Sequence, residues 1–362
     1  MIHVIIGTRA QIIKMAPVMK ELEDQGINYN FIFLAQHKET MYEIFSQFGI
    51  KKPNIVIGDL NKDITNVKDM ILWSFLVLIY GFFRAKKIFQ NDKKGVVLIH
   101  GDAPPLFLGG VLAKFQGMKV AQVEAGLRSF NYFKPFPEEA TRVFSSKIGL
   151  IDIFFCQDKK AAQNVAPYKK TAYCTHYNTM LDSLCLAEKM IPGKAHPEAS
   201  GEFAIASLHR FETISKKERL EQVVNELLKI SKKIKLLFIL HPATRVALKN
   251  SGLYDILDKE PACCLLPRQN FFDFNNLLKK AEFIITDGGS NQEESFYLGK
   301  PCLLFRCETE RTEGLGENVV LSNFDSAIID DFVAHYKSYQ RKPVSGDTSP
   351  SHFIVNQLKE FI

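Results

Sequence analysis

Short apolar runs recur along the chain, and each stops at a polar or glycine-bearing turn. Ile2–Ile6 ends at Gly7, Val96–Ile99 at His100-Gly101-Asp102, and Lys119–Val123 at Glu124. Phe31–Leu34, Ile151–Cys156 and Lys170–Tyr173 read as further strands. Between them, Gln11–Leu22 has apolar residues at helical spacing. Pro104-Pro105 suits the first turn of another helix, where a missing N–H is harmless. The pattern then restarts. Phe203–Ser207 runs to His209-Arg210, and Lys235–Leu240 to His241-Pro242. Phe283–Thr286 runs to Asp287-Gly288-Gly289, and Pro301–Phe305 to Arg306. Lys216–Ile230 and Phe271–Lys280 have helical character. Continuous apolar strands alternating with helices predict parallel sheets covered on both faces. The expected fold is therefore α/β, two Rossmann-like doubly wound domains facing a cleft.

At 362 residues the chain is too long for one typical core. The best linker candidate runs from Pro192-Gly193 to Gly201, overlapping a linker region set at 176–200. It separates an N-terminal domain, 1–175, from a C-terminal domain, 201–350. Phe353–Ile362 reads as a short terminal helix. In doubly wound sheets, ligands bind beyond the carboxyl ends of the strands. Arg9, Asp102, Glu124, His209, His241, Asp287 and Arg306 all fall there. Cations and acids come from both halves, so an interdomain cleft is the expected site.

Composition changes this picture little. Hydrophobic content of 46% and charged content of 24% describe an ordinary globular chain, and the net charge is a mild +6. No long basic stripe supports nucleic-acid binding. The seven cysteines show no metal-ligand spacing, which argues against zinc and for reduced thiols in a cytoplasmic protein. Residues 1–6 read as a buried strand and not as a signal peptide. Met70–Phe83 carries no charge but is shorter than the roughly 18–20 residues that span a bilayer. It is read as a helix buried on most sides, by core or by a partner subunit, with membrane contact unlikely.

Two neighbouring turns hold the most telling chemistry. Val123-Glu124-Ala125-Gly126-Leu127-Arg128 ends an apolar run, and Pro135-Phe136-Pro137-Glu138-Glu139 opens a helix. Carboxylates fixed beside Gly, Pro and Arg point to proton transfer near an anion. Asp102, Glu124 and Glu138 are the candidate acids and bases, against the alternative of salt bridges to Arg128 or Arg142. Gly7-Thr8-Arg9 precedes a helix carrying Lys14, and a helix N-terminus favours anions. It is not a Gly-x-Gly-x-x-Gly loop, so NAD is not supported. In Asp287-Gly288-Gly289-Ser290-Asn291-Gln292-Glu293-Glu294, glycines and a serine at a strand end can present N–H groups to phosphate. A carboxylate one turn later can accept from ribose hydroxyls.

Together these motifs resemble one family. Gly7-Thr8-Arg9 with Ile13-Lys14-Met15-Ala16-Pro17, Gln36-His37, His100-Gly101-Asp102 and the two acid-bearing turns are similar to the non-hydrolysing UDP-N-acetylglucosamine 2-epimerases. His209-Arg210, His241-Pro242, Gln292-Glu293-Glu294, Gly299-Lys300-Pro301 and Thr309-Glu310-Arg311-Thr312-Glu313-Gly314 continue the likeness in the same order. The resemblance implies a glycosyltransferase-B-like fold, with the terminal helix 351–362 returning to the first domain. It implies a UDP-sugar substrate, a homodimer, no metal and no cofactor. The implied reaction, for surface polysaccharide synthesis, eliminates UDP from C1 as the C2 proton leaves, then re-adds it with C2 inverted.

By the same resemblance, Asp102, Glu124, Glu138 and His209 are the catalytic set. Arg9, Lys14, Gln36, His37, Arg210, His241, Gly288, Gly289, Ser290, Glu294 and Arg306 bind substrate, and Phe274 packs on uracil. The chain departs from the family pattern around the ligand. Pro-Glu after Gly-Thr-Arg becomes Ala10-Gln11, the threonine after His-Gly-Asp becomes Ala103, and Gly-Asn-Thr becomes Tyr177-Asn178-Thr179. Two other outcomes stay open: a hydrolysing epimerase that releases N-acetylmannosamine, and a glycosyltransferase of the same fold.

Overall fold

The computed structural model describes residues 1–36, 41–60, 64, 67–132, 138–190 and 196–361. The chain divides into two compact units, Met1–Met190 with Gly346–Ile362, and Ile191–Ser345. Each holds one parallel sheet between helices, as the apolar runs predict. Pro192-Gly193, where the linker was expected to begin, lies outside the described residues.

Unit 1 contains seven parallel strands in the order β3-β2-β1-β4-β5-β6-β7. They are β1 (Ile2–Ile6), β2 (Tyr29–Leu34), β3 (Ile55–Ile57), β4 (Val96–His100), β5 (Lys119–Ala125), β6 (Ile153–Cys156) and β7 (Thr171–Cys174). The chain winds outward from β1 to β3, then returns to lay β4 on the other side of β1. This reversal puts the turns after β1 and β4 side by side, where such sheets bind ligands. Every residue of β1, β2, β4 and β6 is buried, which explains why these strands read as unbroken apolar runs.

The Arg9–Asp24 helix starts from a full capping box. The Gln11 backbone N–H donates to Thr8 Oγ1 at 3.3 Å, and Gln11 Oε1 accepts from the Thr8 N–H at 3.2 Å. Met180–Met190, inside the stretch expected as linker, is a helix that packs on Arg9–Asp24 together with the terminal Pro350–Leu358 helix. Asp182 accepts from the Ser351 N–H at 2.7 Å, which fastens the terminal helix to this unit.

The uncharged segment lies in a helix spanning Val67–Ile88, and the described chain supplies only part of its expected cover. A single stripe is buried within this chain: Trp73, Val77, Gly81, Ala85 and Ile88. The opposite stripe is open, with Ile71 64%, Phe75 60% and Phe83 86% exposed. The cause is a one-sided packing surface. Gly81 lets the Pro104–Phe115 helix approach so closely that a Cβ there would lie 2.4 Å from Leu112 Cδ2. Among the described residues, nothing covers the other side, and no helix is long and apolar enough to cross a membrane.

Unit 2 contains six parallel strands in the order β10-β9-β8-β11-β12-β13. They are β8 (Phe203–Ser207), β9 (Lys235–Leu240), β10 (Cys263–Pro267), β11 (Ile284–Thr286), β12 (Cys302–Leu304) and β13 (Val319–Leu321). Alternate residues feed separate clusters. Ala204, Ala206, Phe238 and Ile285 join one, while Phe203, Ile205, Ile239 and Ile284 join the other. The strand order reverses between β8 and β11, so the turns after these two strands are adjacent.

Candidate active site

In unit 1 the polar side chains gather at the carboxyl ends of β1, β4 and β5. Gln11 ties two of these ends together. Its Oε1 accepts from Gly7 N–H at 2.9 Å, and its Nε2 donates to the His100 carbonyl at 2.8 Å. An amide suits this place because it accepts at one atom and donates at the other.

One turn further along the same helix, Lys14 pairs with Glu124, and the two residues are 2% and 8% exposed. Asn178, in the loop after β7, donates to the same Glu124 oxygen, Oε2, and also to Gln157 Oε1 at 3.0 Å. His100 Nε2 lies 3.9 Å from Glu124 Oε2. The Glu124 backbone is left-handed, with φ 58, where the register between β5 and β6 slips between Val123 and Ala125. Such a conformation costs a non-glycine residue roughly 1–2 kcal/mol. It persists when the surroundings over-determine it, and the bulge re-aims the side chain at the strand end.

Asp102 accepts from Arg142 through both Nε, at 2.8 Å, and Nη2. The same guanidinium donates from Nη1 to Glu139 at 3.1 Å. Glu139 is fully buried and also receives Arg128 Nε at 2.5 Å and the Ser129 N–H at 3.0 Å. The adjacent Glu138, the first residue of the Glu138–Lys147 helix, is only half-buried. The salt-bridge alternative therefore holds for Asp102 with Arg142 and for Glu124 with Lys14, while Arg128 pairs with Glu139. Arg9 is half-buried at the start of its helix, and Gln36 is buried just beyond β2. His37 lies outside the described residues, as do Pro135-Phe136-Pro137.

In unit 2, Asp287 organises the adjacent ends of β8 and β11. It is fully buried. Its carboxylate accepts from the His209 N–H at 2.9 and 3.1 Å and from the Arg210 N–H at 3.0 Å. His209 Nδ1 lies 3.5 Å from Asp287 Oδ1, and the His209 ring packs on His241 with centroids 5.5 Å apart. Desolvation at this strand end lowers the His209 pKa, and Asp287 opposes that while Arg210 and Arg268 reinforce it. The net direction favours a neutral imidazole, which can accept as well as donate.

Gly288 and Gly289 open the Gly289–Tyr297 helix. A Cβ at Gly289 would lie 2.7 Å from Arg311 Nε, so this guanidinium packs directly on the backbone at the helix start. Arg311 is buried and paired with the buried Glu293. Ser290 is half-buried, and Glu294 accepts from Asn291 Nδ2 at 2.8 Å. Arg306 reaches Glu310 at 3.0 Å and Thr309 at 3.4 Å. Burial opposes the ionised form of Glu310. Arg306, Arg311 and Arg210 outweigh it and hold the carboxyl at about 2. Phe274 is 8% exposed and belongs to the apolar cluster that holds Phe203 and Ile239.

Two parallel sheets, each with polar groups gathered where its strand order reverses, define a two-unit α/β protein with ligand sites expected at those strand ends. A family model described as UDP-N-acetylglucosamine 2-epimerase matches residues 20–353. The chain belongs to this family. The UDP-N-acetylglucosamine 2-epimerase of Methanocaldococcus jannaschii is 30% identical, over 91% of this chain and 90% of its own length. That of Methanococcus maripaludis is 32% identical, over 88% of this chain and 86% of its own. The crystal structure of the Neisseria meningitidis enzyme bound to UDP-GlcNAc aligns with a TM-score of 0.82 at 25% identity, covering 99% of each chain.

Proposed function

We propose that this chain inverts C2 of a UDP-linked N-acetylhexosamine, converting UDP-N-acetylglucosamine or a modified relative to the manno epimer without net hydrolysis. The observation that carries this reading is Glu124, a buried carboxylate held at a parallel strand end in left-handed backbone by two donors. Family membership supports it, as do relatives named as UDP-N-acetylglucosamine 2-epimerases.

In the proposed reaction a carboxylate takes the C2 proton while the C1–O bond breaks on the opposite side. The C2–H electron pair becomes the C1=C2 double bond, and the C1–O pair leaves with UDP. Return of UDP to C1, with a proton delivered to the other face of C2, completes the inversion. Asp102, Glu124 and Glu138 form the acid/base set. His209, with Arg210, His241, Gly288, Gly289, Ser290, Glu294 and Arg306, holds UDP. The helix start at Gly289 offers N–H groups to the diphosphate, backed by the Arg311 guanidinium. Arg9, Lys14, Gln36 and His37 serve the sugar and phosphate, and Phe274 supports the uracil site from the core.

Incubation with UDP-N-acetylglucosamine in deuterated water, followed by NMR, tests this reading. Deuterium at C2 of a product still linked to UDP is expected. Free N-acetylmannosamine with UDP would replace the non-hydrolysing reading by the hydrolysing one, and transfer to an acceptor with C2–H retained would overturn both.

The proposed assembly is a homodimer built on the open stripe of the Val67–Ile88 helix. Ile71, Leu72, Phe75, Ile79 and Phe83 recur there at helical spacing, joined by Phe115 through its edge contact with Phe82. Contiguous apolar surface of this kind marks association sites. Sedimentation should show a dimer for the native chain. The Phe75→Asp, Phe83→Asp double variant should be monomeric, with its fold retained by circular dichroism. A native monomer would remove this assignment.

A further inference from the structure

We propose that Asn178 is a positioning residue for the reaction, setting the orientation and proton affinity of the Glu124 carboxylate. This inference rests on the reading of Glu124 as an acid/base group. Asn178 is 3% exposed and its amide is fixed at both ends. Its Oδ1 accepts from the Met180 N–H at 2.9 Å, which caps the Met180–Met190 helix. Its Nδ2 donates to Glu124 Oε2 and to Gln157 Oε1 at 3.0 Å.

The surrounding turn is itself fastened. Thr175 Oγ1 reaches the Cys156 carbonyl at 3.1 Å and the Tyr177 carbonyl at 2.7 Å, so the turn is pinned to the end of β6. Asn178 therefore carries the position of the β7 loop to the end of β5, two strands away in the sheet. Lys14 approaches the same oxygen from the helix that follows β1. Two donors from different elements converge on Oε2, which fixes the rotation of the carboxylate and so decides where Oε1 points. Donation to the ionised form also favours it over the protonated form.

Asn178→Asp is the informative change. The new carboxylate keeps an oxygen at the Oδ1 position, so the cap on Met180 survives, but the donor facing Glu124 becomes an acceptor. Two carboxylates then share one site, and such a pair holds a proton to higher pH. The pH profile of kcat should move upward by about one unit on the limb that reports Glu124. At neutral pH, kcat should fall by about 10–100-fold while KM stays within about threefold. Asn178→Ala, which removes the donor without adding a charge, should lower kcat by a similar factor with a smaller upward move. UDP binding by calorimetry and the thermal unfolding midpoint are read alongside, so that a lost fold is not mistaken for a lost role.

An Asn178→Asp profile superimposable on the native one would overturn the proposal, as would a loss of kcat matched by loss of UDP binding and of folded protein. Glu124→Gln in the same assay separates the two levels. If it is inactive while the Asn178→Asp profile is unmoved, only the role of Asn178 fails. If it turns over normally, the reading of Glu124 fails, and the role of Asn178 fails with it.

Discussion

Glutamine in place of Glu138 is expected to lower kcat by about 10²–10⁴-fold, the contribution typical of a positioned acid or base. UDP affinity should stay within roughly twofold, since the change removes a charge from unit 1 and leaves the Asp287 and Gly288–Gly289 turns untouched. The structure separates Glu138 from its neighbour. Glu139 is fully buried and committed to Arg128, the Ser129 N–H and Arg142. Glu138 is half-buried at the first position of its helix, where the dipole favours a carboxylate by about 0.3–1 kcal/mol. The two adjacent acids should therefore answer differently to the same substitution. Glu139→Gln weakens a buried network that also holds Asp102 through Arg142, so it should lower stability and activity together. Glu138→Gln should lower the unfolding free energy by no more than about 1 kcal/mol, the dipole contribution, while turnover falls steeply. Steady-state rates and denaturant unfolding on both variants decide the matter. Near-normal turnover in Glu138→Gln would remove Glu138 from the acid/base set.

That division between neighbouring acids was not legible in the chain, because adjacent residues of one type differ only in where the helix turns them. What the pattern did reveal were the strands buried on both faces. β1, β4, β8 and β9 read as continuous apolar runs because helices cover each side. β3, β10 and β13 gave no such signal. All three are edge strands with partly exposed positions, and β3 and β13 are only three residues long, too short for a pattern to stand out. The Val67–Ile88 helix left open whether core or a partner subunit would cover it. Its composition is apolar all round, yet the described chain supplies a partner for one stripe alone.

Site residues divided in a similar way. Acids and histidines at strand ends announce themselves by position, as Asp102, Glu124 and His209 did. Of the groups that hold them, Arg142 was visible as a salt-bridge partner. Gln11, Gln157 and Asn178 come from separate elements and meet the site only in the fold. Asp287 was visible at a strand end, but its service to two backbone N–H groups was not. The Ala10-Gln11 departure acquires a physical meaning, since the Gln11 amide satisfies Gly7, Thr8 and His100 at once.

The largest effect on stability is expected at Lys14. Replacing it with methionine keeps most of the length of the side chain but leaves the Glu124 carboxylate buried without that cation. Removing one partner of a buried pair typically costs about 3–5 kcal/mol. Trp73 makes this measurable in unit 1 by itself. It is the single tryptophan of the chain, it is fully buried, and it belongs to the same apolar cluster as β4 and β5. Denaturant unfolding followed by its fluorescence should show the loss for Lys14→Met. Glu124→Gln leaves a buried lysine and should also destabilise.

The double variant should recover part of the loss, because a neutral amide beside a thioether carries no uncompensated charge and can still accept from Asn178. The coupling extracted from this cycle is the quantity of interest. A coupling of several kcal/mol would mean that Lys14 is needed to keep Glu124 charged in a buried place, so its contribution to catalysis cannot be separated from its contribution to folding. A coupling near zero would mean that water or a neighbour reaches Glu124 readily, and Lys14 would then be left to act on the substrate directly. The αL backbone at Glu124 argues for the first outcome. A strained carboxylate at a strand end persists when its partners hold it there, and the Lys14 ammonium sits directly on its oxygen.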